Sequence, residues 1–190
     1  MRMLLMGVAL CWCASANAAL LVGQAVLDGA QAILTNPDGS SATGVAEVAI
    51  DTVAMTVAVD LSVTGISAAD IDFGSAALGF GTLGPVHIHV APPDENGAIA
   101  IAFPSASDYA STAAGFDLVS AGNMLIDGSP VDFAGFVSAY QAGNLYFNVH
   151  TQSAPGGEIR GQISRVPEPS TFALVGVGLL AVRAMRRRRL

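Results

Sequence analysis

The sequence predicts an all-β fold: a single antiparallel β-sandwich or barrel-like domain carrying one short helix. Three observations predict it. Apolar and polar residues alternate with a period of two in "VAEVAIDTVAMTVAVDLSV", which is the signature of a half-buried strand. Valine, isoleucine and threonine dominate such stretches, and branching at Cβ favours the extended backbone. Turn-forming clusters, "NPDGSSATG", "APPDENG", "DGSP" and "SAPGG", punctuate the chain between them.

The elements follow in chain order. Val22–Leu27 is the first strand expected. Val45 to Val63 reads as two strands of a hairpin, broken near Asp51-Thr52, because the alternation resumes there. Residues 74–84 are glycine-rich and read as a long loop; they lack the lysine and following helix of a phosphate loop. Val86–Val90, Ala98–Phe103 and Phe116–Ile126 are further strands. Val131–Gln141 is the one helix expected, stopped by Gly143. Leu145–Thr151 and Gly157–Ser164 are the last two strands. About 150 residues lie between the ends, enough for one domain with its own core.

The two ends have a different character. Arg2, the apolar run Met3–Cys13 and the small residues around Ala16-Asn17-Ala18 have the form of a secretory signal peptide, with cleavage expected after Ala18 and Ala19 as the alternative. The alternative is an uncleaved anchor, but the run is short for a span. Cys11 and Cys13, the two cysteines of the chain, both fall in this leader. The exported body then has no disulfide and no thiolate ligand. Residues 166–190 close the chain with "VPEPST", an apolar segment over Phe172–Val182, and Arg183, Arg186, Arg187, Arg188 and Arg189. That segment reads as a hydrophobic helix held at the membrane before processing, its arginines on the cytoplasmic side. The expected organisation is therefore a signal peptide over 1–18, a β domain over 19–165 and a sorting or transmembrane segment over 166–190.

Between these ends, Arg160 and Arg165 stand against fourteen acids, a formal charge of −12. A body of that charge repels nucleic acid and anionic lipid. The paired acids Asp70/Asp72 and Asp94/Glu95 fall in expected loops. They suit turns and surface, with weak calcium ligation as the alternative reading. No nucleophile elbow is present, so a hydrolytic enzyme is not expected.

The chemistry-bearing residues are three histidines. His87 and His89, in "VHIHV", are two apart, and residues two apart on a strand share a face. His150 ends "LYFNVH". If the two strands are close, three imidazoles converge, a donor set suited to copper or zinc. The competing reading is structural, with each ring hydrogen-bonding a neighbouring loop. By the same spacing Asn148 shares a face with His150, and Glu158 shares one with Arg160. Asn148 is expected to pin a loop. Glu158 and Arg160 are expected to engage polar groups of the "NVHT" strand, as a pair that fixes strand register or as a brace behind His150.

Two resemblances rest on these motifs. "VHIHVAPPDENGAIAIAF" and "GNLYFNVHTQSAPGGEIRGQI" resemble the signatures of the CHRD domain, named for its repeats in chordin. The resemblance spans about residues 20–165 and implies an extracellular all-β domain. The tail, with its Pro167-Glu168-Pro169 box, apolar segment and terminal arginines, resembles the PEP-CTERM sorting signal. That implies signal peptidase and an exosortase-type membrane protease as partners. It also implies a Gram-negative exporter and delivery to the cell surface or extracellular matrix. A more distant likeness is to copper/zinc superoxide dismutase, in which His87, His89, His150 and Arg160 would take copper-site roles. That family's bridging histidine and disulfide have no counterpart here. The reading of function is an exported, non-catalytic binding or structural module facing polysaccharide or matrix. The alternative is a small copper-binding protein using His87, His89 and His150, with a redox role as its extension.

Overall fold

The structure, a computed structural model, describes residues 20–33, 39–71 and 83–166. The leader, most of the glycine-rich loop and the tail from Pro167 onward lie outside the described residues. So do the expected signal-peptide cleavage, the hydrophobic C-terminal helix and its flanking arginines. Among the described residues no helix is long and apolar enough to cross a membrane.

Among the described residues ten antiparallel strands form one curled sheet. In chain order they are β1 (Leu20–Asp28), β2 (Thr43–Asp51), β3 (Thr56–Thr64), β4 (Val86–Val90), β5 (Ala98–Ala102), β6 (Tyr109–Ser111), β7 (Gly115–Asn123), β8 (Leu145–Val149), β9 (Ile159–Gln162) and β10 (Ser164–Arg165). Their spatial order is β5-β4-β8-β9-β1-β2-β3-β7-β6, with β10 also on β1. The sheet thus curls as a half-barrel around one core, in keeping with the sandwich or barrel-like form expected.

The expected hairpin forms β2 and β3, in register from Thr43↔Thr64 to Asp51↔Thr56. Its turn is set by Asp51, whose Oδ1 accepts from the amides of Val53 and Ala54, both at 2.8 Å. Those two amides hold the Asp51 carboxyl below its ordinary pKa. The helix α1 (Phe133–Ala142) begins two residues later than expected. Asp132 caps it, accepting from the Gly135 amide at 2.7 Å. Gly143 stops it in the left-handed region, φ 75°, a conformation that costs glycine little. Phe136 and Tyr140 dock the helix on the sheet, and the Tyr140 hydroxyl donates to the Val22 carbonyl at 2.7 Å.

The strand ends differ from the sequence expectation in two places that matter. His150 falls one residue beyond β8, and Glu158 one residue before β9. The expected strand Gly157–Ser164 divides into β9 and β10 at Ile163, whose amide turns to the Leu145 carbonyl. Strand β6 was not expected; it is three residues long and shows no alternation to read.

The core gathers Leu27, Val48, Ile50, Leu61, Ile88, Phe116, Phe147 and Ile159, all at 1 % exposure or less. Alternation supplies them. In β4 and β8, Ile88 and Phe147 face each other across the ladder and point inward. Their neighbours His87, His89, Tyr146 and Asn148 must therefore point to the opposite side. That opposite side is where the histidines meet.

Candidate metal centre

Register builds the site. His87 pairs with Asn148 and His89 with Tyr146 across β4 and β8. Tyr146 pairs in turn with Gln162, and Asn148 with Arg160, across β8 and β9. Six polar or aromatic side chains from three adjacent strands thus share one face. His150 joins them just past the end of β8, its amide donating to the Pro85 carbonyl at 2.8 Å.

On this face the three imidazoles converge. One ring nitrogen of each lies within 4.8 Å of those of the other two. The ring centres of His87 and His150 are 4.8 Å apart, those of His87 and His89 5.6 Å, and those of His89 and His150 6.0 Å. All three residues are buried.

Loop carbonyls fix the rings. His89 Nδ1 lies 2.9 Å from the Gly97 carbonyl oxygen, and His150 Nδ1 lies 2.9 Å from that of Pro155. A carbonyl only accepts, so both Nδ1 atoms carry the proton. The ring lone pair is then on Nε2 in each. His89 Nε2 is buried with no hydrogen-bond partner among the described residues. The backbone at Leu83 and Gly84 acts on His87 in the direction that favours its protonated form.

The rings are neutral at physiological pH. Burial pushes His87 down to about 2, helped by repulsion from His150 and His89. Burial likewise takes His150 down to about 4. His89 is held below its ordinary value by burial, with the charge of Arg160 acting in the same direction. Neutral imidazole is the ligating form.

A ring of supporting residues surrounds the cluster. Tyr146 stacks on His89, 4.9 Å between centres and 11° between planes. Its hydroxyl accepts from the Gly97 amide at 3.1 Å, so Gly97 clamps both stacked rings. The Arg160 guanidinium lies 3.6 Å over the Tyr146 ring. It donates to the carbonyls of Glu95 (2.8 Å) and Pro92 (3.1 Å) and to Gln162 Oε1 (3.1 Å). Gln162 Nε2 continues the network to the carbonyls of Ala91 and Gly143, at 3.0 and 2.7 Å. Asn148 Nδ2 donates to the Gly156 carbonyl at 3.2 Å. A Cβ at Gly157 would overlap the Asn148 amide, and φ there is +118°, so glycine is required.

The structure brings together His87, His89, His150, Asn148 and Arg160. Glu158 reaches the "NVHT" segment as expected, through Thr151, but lies one residue before β9 and does not bond the Arg160 guanidinium. Its carboxylate accepts from the Ser40 hydroxyl at 2.8 Å and the Thr151 hydroxyl at 2.5 Å. It therefore braces the loop that follows His150, with no contact to the guanidinium. Tyr146 and Gln162 were not singled out from the sequence. The period-two rule that joins Asn148 to His150 also reaches Tyr146, and the step from Arg160 reaches Gln162.

An antiparallel β domain with a loop-covered polar face defines the class, and comparison with protein families assigns it. The CHRD domain family matches residues 23–163, and the chain belongs to that family. The PEP-CTERM protein-sorting motif matches residues 165–189. The protein is thus exported through the membrane, processed by an exosortase and delivered to the cell surface. Comparison with curated proteins and with solved structures gives no match.

Proposed function

We propose that this surface-sorted CHRD protein is a non-catalytic metal-binding module of a Gram-negative envelope or its matrix. It holds one copper or zinc ion between His87, His89 and His150. The observation that carries the reading is the convergence of three neutral, buried imidazoles whose nitrogens lie within 4.8 Å of one another. Three nitrogens around an ion at roughly 2.0–2.1 Å stand about 3.5 Å apart. Binding would draw the widest pair in by no more than about 1.3 Å.

The supporting contacts favour ligation over a purely structural role. A histidine that only pins loops has no use for a second, buried nitrogen, and a buried acceptor without a partner costs about 1–3 kcal/mol. His89 carries such a nitrogen. A ligating histidine commonly donates its other N–H to a carbonyl, which sets the tautomer and aims the lone pair. His89 and His150 are both held in that way. When bound, the ion would supply a cross-link between β4 and β8, and copper would add an electron-accepting centre.

The test is elemental analysis of the full chain carrying Cys11→Ser and Cys13→Ser, which removes the competing thiols. One copper or zinc per chain is expected after loading and dialysis. The His87→Ala/His89→Ala form should retain none. A protein that stays metal-free, with thermal stability unmoved by either ion, would overturn the proposal.

A further inference from the structure

The donor set and its surroundings also bear on which ion the site prefers. Resting on the metal-site reading above, we infer that the centre is built for monovalent copper and discriminates against Cu(II) and Zn(II). Three features of the same face carry the inference.

First, the donors carry no charge. The cluster is His87, His89 and His150, and among the described residues no carboxylate or thiolate joins it. Acids of the covering loops are engaged elsewhere. Glu158 accepts from Ser40 and Thr151, and the charge of Asp94 acts on Arg160. A divalent ion would thus keep its full charge in a buried place. The cost of burying an ion grows steeply with its charge.

Second, a cation is built into the wall. The Arg160 guanidinium lies 3.6 Å over Tyr146, whose ring centre is 4.9 Å from that of His89. Its hydrogen bonds to the Pro92 and Glu95 carbonyls hold it there. Over roughly 8 Å, at an effective dielectric of about 20, one extra positive charge on the ion costs about thirtyfold in affinity.

Third, the coordination number is low and the rings are enclosed. Zn(II) completes a tetrahedron with a fourth ligand, and Cu(II) prefers a tetragonal set. His87, His89 and His150 offer three nitrogens and are 0, 6 and 2 % exposed. Cu(I), a closed-shell ion, is satisfied by three neutral nitrogens in a plane.

The test is a competition titration on the full chain with Cys11→Ser and Cys13→Ser. Copper reduced with ascorbate is titrated under nitrogen against bicinchoninate. Cu(II) and Zn(II) are titrated against a chelator of known affinity. The wild-type site should hold Cu(I) at least about thirtyfold more tightly than either divalent ion. Arg160→Gln should shrink that ratio by about thirtyfold, whereas Arg160→Lys should keep it. Should Arg160→Gln fail to fold, the wild-type ratio still decides. Zn(II) or Cu(II) bound as tightly as Cu(I) would overturn the preference while leaving a metal site. Binding of none of the three would overturn the metal reading, and this inference with it.

Discussion

In β2, Thr43, Val45 and Glu47 are exposed while the residues between them are buried; in β4, Val86 to His89 are all buried. The two strands belong to one sheet, yet they live in different solvents. The half made of β1, β2, β3 and β7 has one face on the core and one toward water. In β4, β8 and β9 the second face is covered by loops. Carbonyls of Pro92, Glu95, Gly97, Pro155 and Gly156 come down on it and meet Arg160, His89, His150 and Asn148. A polar side chain is therefore cheap in the first half and costly in the second unless its partners are supplied. The second half supplies them almost throughout, and among the described residues His89 Nε2 and Asn148 Oδ1 are left without one.

The largest difference between the faces should appear on truncating each. Phe147→Ala removes a wholly buried ring from the core face and should cost about 3–5 kcal/mol in denaturant unfolding, with or without metal. A smaller loss would mean that the core collapses to fill the gap.

Next come two polar residues in matched settings. Arg160→Ala strips the partners from two loop carbonyls and from Gln162 and should cost about 2–3 kcal/mol. Glu47→Ala, on the exposed face of β2, should stay within about 0.5 kcal/mol of wild type. Equal effects in urea unfolding would erase the distinction between the two halves.

The buried face should also be acid-sensitive. Unfolded histidine takes up its proton near 6.5, whereas folded His150 and His87 do so only near about 4 and about 2. The unfolded chain therefore binds more protons below pH 6.5, and folding stability falls as the pH drops. Each histidine contributes at most about 1.4 kcal/mol per pH unit. His150 ceases to contribute below about 4, and His87 below about 2. The metal-free protein should show a flat melting temperature from pH 8 to 7 and a steady decline from 6.5 to 5. Carboxylates titrate mostly below that window. A melting temperature unchanged down to pH 5 would contradict neutral burial of the rings.

The smallest effect belongs to the helix. Asp132→Ala removes the cap on the Gly135 amide and should cost about 1 kcal/mol. It should leave metal content unchanged, since α1 contributes no ligand. Loss of metal in this variant would couple the helix to the site.

The half-solvated strands were the legible part. Alternation in Val45–Val63 yields the hairpin and its inward face because water selects every second residue there. In β8, by contrast, "LYFNV" is buried at every position. Tyr146 and Asn148 look like surface residues until the covering loops are placed. H-x-H placed His87 and His89 on one face, but adjacency of β4 to β8 is a long-range pairing that no local pattern encodes. Glu158 meets Thr151 of "NVHT" as its position suggests, whereas the later start of β9 keeps it out of the ladder that carries Arg160.

The central claim is that His87, His89 and His150 form one coordination sphere. X-ray absorption of the copper-loaded protein tests it most directly. The account predicts a first shell of three imidazole nitrogens at roughly 2.0–2.1 Å, with the multiple-scattering pattern of ordered rings. A shell dominated by oxygen, or one with a single imidazole, would contradict it.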